Sequence, residues 1–89
     1  MAYNGWTNWE TWNVGLWVGN DEGLYNMQQE FIRAANERIT DDDVRLFLVE
    51  LLPNGTPDMK TGWATENFIN WIEIAEHWED ERQEMLIDG

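Results

Sequence analysis

The sequence predicts an all-α protein, a compact bundle of about four helices forming a single domain over residues 1–89. Three observations predict it. In four stretches the apolar residues recur every three or four positions, a helical rather than an alternating spacing. A residue suited to capping a helix N-terminus precedes each stretch: Thr7, Asp21, Thr40 and Asn70. Both prolines and two of the seven glycines gather in residues 53–62, between the third stretch and the fourth.

The first helix is expected within residues 6–25, which hold four of the seven tryptophans, Trp6, Trp9, Trp12 and Trp17. Thr7-Asn8-Trp9-Glu10 has the form of a capping box. The threonine would accept from a first-turn N–H, and the glutamate three residues on would reach back to the threonine N–H. A helix is therefore expected from about Asn8 to Val18. Trp9, Trp12 and Leu16 form its apolar stripe, widened by Val14, Trp17 and Val18. Trp6, just before the cap, is placed to pack back on the helix. Gly19-Asn20 should end it, with glycine taking the left-handed position at little cost.

Asp21 then caps a second helix, expected from about Glu22 to Arg38. Leu24, Met27, Phe31, Ala34 or Ala35, and Arg38 or Ile39 recur along one side. Gln28, Gln29, Glu30, Arg33 and Glu37 fill the other. Thr40 caps the third helix, and Asp41, Asp42 and Asp43 lie where the helix dipole favours negative charge. This helix carries Val44, Phe47, Leu48, Leu51 and Leu52, with Leu46 and Val49 off the stripe. Apolar residues on several sides predict a central position. Pro53 ends it, because the residue before a proline is pushed out of the α region.

Asn54-Gly55 is a hairpin dipeptide, but no alternating strand flanks it, so residues 53–62 read as a helix–helix connector. Thr65-Glu66-Asn67-Phe68 reads either as the start of the last helix or as a separate short turn. Asn70 offers a cap with Glu73 three residues later. The last helix should run from there to about Leu86, with Trp71, Ile74, Ala75, Trp78 and Met85 buried. Glu73, Glu76, Asp80 and Glu84 share another side, and Glu79 and Glu81 add to its charge.

Composition limits the chemistry. Eighteen Asp and Glu against five Lys and Arg give a net charge of −13. Such a surface repels nucleic acid and anionic lipid, attracts basic partners and raises encounter rates with them. The plain alternative is that the charge only solubilises. No apolar run approaches the ~20 residues of a membrane span, and the first residues lack the basic and apolar regions of a signal peptide. The expected location is the cytoplasm. The absence of cysteine excludes disulfides and thiolate metal sites and fits that compartment. Seven Trp, three Phe and two Tyr offset the small size, since each large aromatic buries roughly 150–250 Å².

No catalytic residue, cofactor site or metal site emerges. The chain has no serine or cysteine nucleophile and no Gly-rich phosphate loop. His77, among glutamates, reads as a surface residue. Calcium loops need alternate ligand spacing, whereas Asp41, Asp42 and Asp43 are consecutive and read as capping charge. Trp9, Trp12, Trp71 and Trp78 are at helical spacing and read as core. Stacking of bases on tryptophan normally comes with a basic groove, which this chain lacks. Trp6, Trp17 and Trp63 are off the stripes, and one of them is a candidate exposed anchor for a partner.

The words NGWTNWETWNVGLW and GNDEGLY near the N-terminus, with NWIEIAEHWED at residues 70–80, resemble the signatures of a family of small acidic proteins from bacteriophages and bacterial mobile DNA. The resemblance implies a phage or mobile-element setting and action inside a host cell. It supplies no catalytic residue.

The expected binding face consists of Glu73, Glu76, Asp80 and Glu84, together with Asp41, Asp42 and Asp43. A rigid carboxylate row could occupy a cationic nucleic-acid groove of a basic host protein, since DNA also presents a dense row of negative charge. The first expectation is thus a non-catalytic inhibitor of a host defence or nucleic-acid-handling enzyme. A host-takeover adaptor binding through an aromatic patch is the second, and a small carboxylate-based enzyme or ligand binder the third.

Overall fold

The computed structural model describes residues 5–59, 62–63 and 68–88. They form four helices: α1 Trp9–Asn20, α2 Glu22–Ala34, α3 Asp41–Leu51 and α4 Trp71–Asp88. Among the described residues there is no strand. The all-α bundle expected from the spacing is the fold observed. Its radius of gyration, 12.7 Å, is close to the roughly 12 Å of a compact chain this long.

The core draws on every helix. Val14 and Val18 come from α1, Ile32 from α2, Val44 and Leu48 from α3, and Ile74, Ala75 and Trp78 from α4. Ile39, Met59 and Ile69 close it from the connections. Phe31, Phe47 and Trp78 meet as a ring cluster with centroids 4.6 to 5.9 Å apart. Both phenylalanines meet the indole edge-on, a favoured geometry for opposed ring quadrupoles.

The central helix is α4, which packs on all three others, whereas α3 packs chiefly on α4. The central position expected for α3 is therefore wrong. Its off-stripe Leu46 is 54% exposed, so its third apolar side faces outward.

Three local expectations are also corrected. The cap of α1 is Asn8, not Thr7: Asn8 Oδ1 accepts from the Thr11 N–H at 2.9 Å and from its hydroxyl at 2.7 Å. The Asn8 side-chain amide also donates to the Phe68 carbonyl at 2.6 Å, a link that threonine is too short to make. Gly19 does not adopt the left-handed conformation. Asp21, in an extended conformation, ends α1 through its N–H to the Trp17 carbonyl and caps α2 through its side chain. Finally, α2 stops at Ala34 rather than Arg38, because the chain leaves the helix to bury Ile39. The buried side of α2 is Gln28 and Ile32, while Met27 is exposed.

The caps read at Thr40 and Asn70 hold. Thr40 and Asp43 form a reciprocal capping box, and Asn70 accepts from the Glu73 N–H at 3.0 Å. Of the ambiguous segment Thr65 to Phe68, only Phe68 lies within the described residues.

The loop after α3 is tied to α1. Asn13, fully buried, accepts from the Thr56 hydroxyl at 2.5 Å and donates to Asp58 at 2.7 Å. Trp17 donates to the same carboxylate at 2.8 Å. These two bonds, the Trp17 one foremost, hold the Asp58 carboxyl below its usual range. Gly55, with φ at 80°, takes a left-handed conformation in this loop that a residue with a side chain would adopt only under strain.

Candidate partner-binding surface

The interior side of α4 is fixed by Ile74, Ala75 and Trp78, all buried. With 3.6 residues per turn, Glu76, Asp80 and Glu84 are carried to the opposite side, and all three are exposed. Residues three or four apart on a helix have Cβ atoms about 5–6 Å apart. The result is a straight carboxylate row two turns long.

Glu73 extends the row but is partly engaged. It is half-buried and accepts from the Thr7 N–H at 2.9 Å and the Thr7 hydroxyl at 3.1 Å. It joins the lead-in of α1 to α4 and offers a partner less free charge than the next three acids. Glu79, read from sequence as part of the outer charge, is instead 3% exposed. Its carboxylate accepts from the Ile39 N–H at 2.9 Å, from Arg82 at 2.9 and 3.0 Å, and from Gln83 at 2.7 Å. Arg82 and Gln83, then the Ile39 N–H, lower its pKa to about 2, so it stays ionised although buried.

The bond from Ile39 to Glu79 places the start of α3 beside α4. A hollow of about 190 Å³ lies there, lined by Asp41, Ile72, Glu76 and Arg38 among others. Asp41 and Glu76, distant in sequence, thus border one hollow. Arg38 sets one cation among them. Asp42 is exposed. Asp43 is exposed too, but one carboxylate oxygen accepts from the Thr40 N–H. Among the described residues, no three His, Asp or Glu side chains converge as a metal ion would need.

The off-stripe tryptophans are held by the fold. Trp6 packs on His77 with ring centroids 4.3 Å apart, Trp17 bonds to Asp58, and Trp63 donates to the Leu52 carbonyl and packs on Trp71. Trp78 is buried in the core, and Trp71 packs against it. Trp9 and Trp12, expected in the core, are half-buried and pair with each other outside the main cluster.

The exposed apolar side chains on and next to α4 include Phe68 and Ile72, 64% and 61% exposed, and Leu86 and Ile87 near its far end, 63% and 82% exposed. Sequence reading passed over Phe68 and Ile72. Ile72 is apolar yet off the α4 stripe, and that was the available signal.

Residues 1–88 of the 89 match the model of a described family, the family of unknown function DUF7249. The chain belongs to this family. No curated protein and no solved structure matches it. Membership in DUF7249 brings no activity with it, so the surface chemistry has to carry the functional argument. Among the described residues, no helix is long and apolar enough to cross a membrane.

Proposed function

We propose that this DUF7249 chain is a non-catalytic protein of phage or mobile-element type that binds and inhibits a basic host protein. The partner would be a defence or nucleic-acid-handling enzyme, met in the host cytoplasm. Binding would occupy the groove in which that enzyme holds DNA or RNA, and the chain itself would touch neither nucleic acid nor membrane.

One observation carries this reading. Glu76, Asp80 and Glu84 stand exposed in a row on the central, best-anchored helix, and Asp41 at the start of α3 borders the same hollow as Glu76. Rigid placement matters. A preorganised charge row loses little conformational freedom when bound, whereas charges on loose loops would only raise encounter rates. Each exposed ion pair contributes about 0–1 kcal/mol, so affinity would come from many pairs together and would fall with salt.

A second reading rests on Phe68 and Ile72. Both are exposed, Phe68 just before α4 and Ile72 in its first turn, and Ile72 lines the hollow. An adaptor anchored there would use the acids for steering alone.

One experiment separates the readings. The immobilised chain is exposed to bacterial host extract at low salt and then challenged with salt, duplex DNA and RNA. Under the first reading the retained proteins are basic nucleic-acid binders, and each challenge releases them. Retention that withstands all three challenges would overturn it in favour of the apolar anchor.

A further inference from the structure

We propose that the cleft between α1, α2 and α4 receives an arginine side chain of the partner. This rests on the partner being basic, as argued above, and adds what the partner must present.

The cleft has a volume of about 150 Å³ and is bordered by Trp6, Tyr25, Gln28, His77, Trp78 and Glu81. A cavity of that size admits a benzene-sized guest. Gly15 also lines it. A Cβ there would come within 2.8 Å of the Trp6 ring, so glycine lets the indole lie close over α1. Trp6 is stacked in turn on His77, and the pair forms one wall.

Gln28 lines the cleft and is only 6% exposed. Its side-chain amide has no hydrogen-bond partner among the described residues, although buried amides are nearly always bonded. A polar guest in the cleft would find this amide within its lining. Glu81 is half-buried and held by Gln29, whose amide donates to Oε2 at 2.9 Å. Its Oε1 has no bonded partner among the described residues.

The cleft thus offers the Glu81 carboxylate, the Gln28 amide with both its carbonyl acceptor and its NH2 donor, the Tyr25 hydroxyl, the His77 imidazole and several aromatic rings. The carboxylate and the amide carbonyl accept hydrogen bonds, and Glu81 brings negative charge. The matching guest is flat, cationic and rich in donors. A guanidinium is planar, carries five N–H donors and no acceptor, and stacks readily on aromatic faces. A lysine ammonium supplies the charge without the plane.

The cleft also adjoins the acidic row. His77 and Glu81 lie three residues from Asp80 and Glu84 respectively, which places each pair side by side on α4. One basic surface could meet the row and insert an arginine beside it.

The test is an NMR titration of the full chain with N-acetyl-arginine amide. The citrulline analogue, which keeps the shape and loses the charge, and the lysine analogue serve as comparators. The expected result is saturable change at the Gln28 side-chain amide and at the Trp6 and Trp78 indole N–H signals. The citrulline and lysine analogues should bind more weakly by about tenfold, a difference readily resolved. Gln28→Leu should weaken arginine binding several-fold. Glu81→Gln, at a half-exposed position that tolerates an amide, should do the same and secures the test if Gln28→Leu fails to fold.

Non-saturating changes spread along Glu76, Asp80 and Glu84, equal binding of citrulline, or unchanged affinity in Glu81→Gln would each overturn the proposal. Capture of a basic partner with no guanidinium binding removes this inference alone. Guanidinium binding with no basic partner captured removes the partner and leaves the specificity of the cleft.

Discussion

Glu79 accepts the backbone N–H of Ile39 at 2.9 Å across 40 residues of chain. That bond holds the start of α3 against α4 and so brings Asp41 to the edge of the hollow that Glu76 borders. A buried carboxylate is costly unless it is paired and fully bonded. Glu79 meets both conditions through Arg82, Gln83 and Ile39.

Glu79→Ala should cost about 3–5 kcal/mol, the usual effect of breaking a buried pair. The milder Glu79→Gln tests the charge. In the folded state the pKa of Glu79 is lowered from 4.5 to about 2. Its contribution to stability is therefore complete above the ordinary value and is lost as pH falls from 4.5 through about 2. Urea unfolding of both proteins at neutral pH, pH near 4 and pH near 3 should show the gap between wild type and Glu79→Gln shrinking with acidity. A gap independent of pH would mean that Glu79 is not held ionised.

The two candidate caps of α1 should separate in the same assay. Asn8→Ala removes the cap and the bond to Phe68 and should cost at least the roughly 0.5–2 kcal/mol of a lost N-cap. Thr7→Ala removes only hydroxyl bonds, to Glu73 and Asn70, and should cost less, about 0.5–1.5 kcal/mol. A larger loss for Thr7→Ala would reverse the assignment.

Among the tryptophans, Trp78→Ala should be the severe change. Trp78 packs edge-on against both Phe31 and Phe47 and is 4% exposed, and removing such a side chain costs roughly 3–5 kcal/mol. Trp12, half-buried outside the main cluster, should cost distinctly less when changed to alanine. Thermal melts of the two variants decide the order, and equal losses would place Trp12 in the cooperative core.

Much of this fold is local and therefore legible in the sequence. Asp21, Thr40 and Asn70 cap helices where their spacing places them, and Ile74, Ala75 and Trp78 follow from a period of 3.6. What escaped was decided across the chain. Thr7 and Asn8 are both good caps, and the choice rests on Phe68 and Glu73, some sixty residues away. Asn13 and Thr11 are polar yet fully buried, because Thr56, Asp58 and Asn70 come to meet them. Of the acidic face, Glu76, Asp80 and Glu84 were readable from spacing. Glu79 was misread because its partner Ile39 is set by the path of the chain after α2, although Arg82 and Gln83, three and four residues on, were a local hint.

The central claim is that the outward row of α4 binds the partner. Its most direct test is the affinity of the captured host protein for the triple variant Glu76→Lys, Asp80→Lys and Glu84→Lys. The comparison is an equal reversal at Glu22, Glu30 and Glu37, exposed acids of α2 and the segment after it. Both variants must first be shown to fold by their melting curves. The expected result is a loss of at least about tenfold for the α4 variant, or 1.4 kcal/mol, with a clearly smaller loss for the other. Equal losses from both, or undiminished binding by the α4 variant, would contradict the assignment of this face.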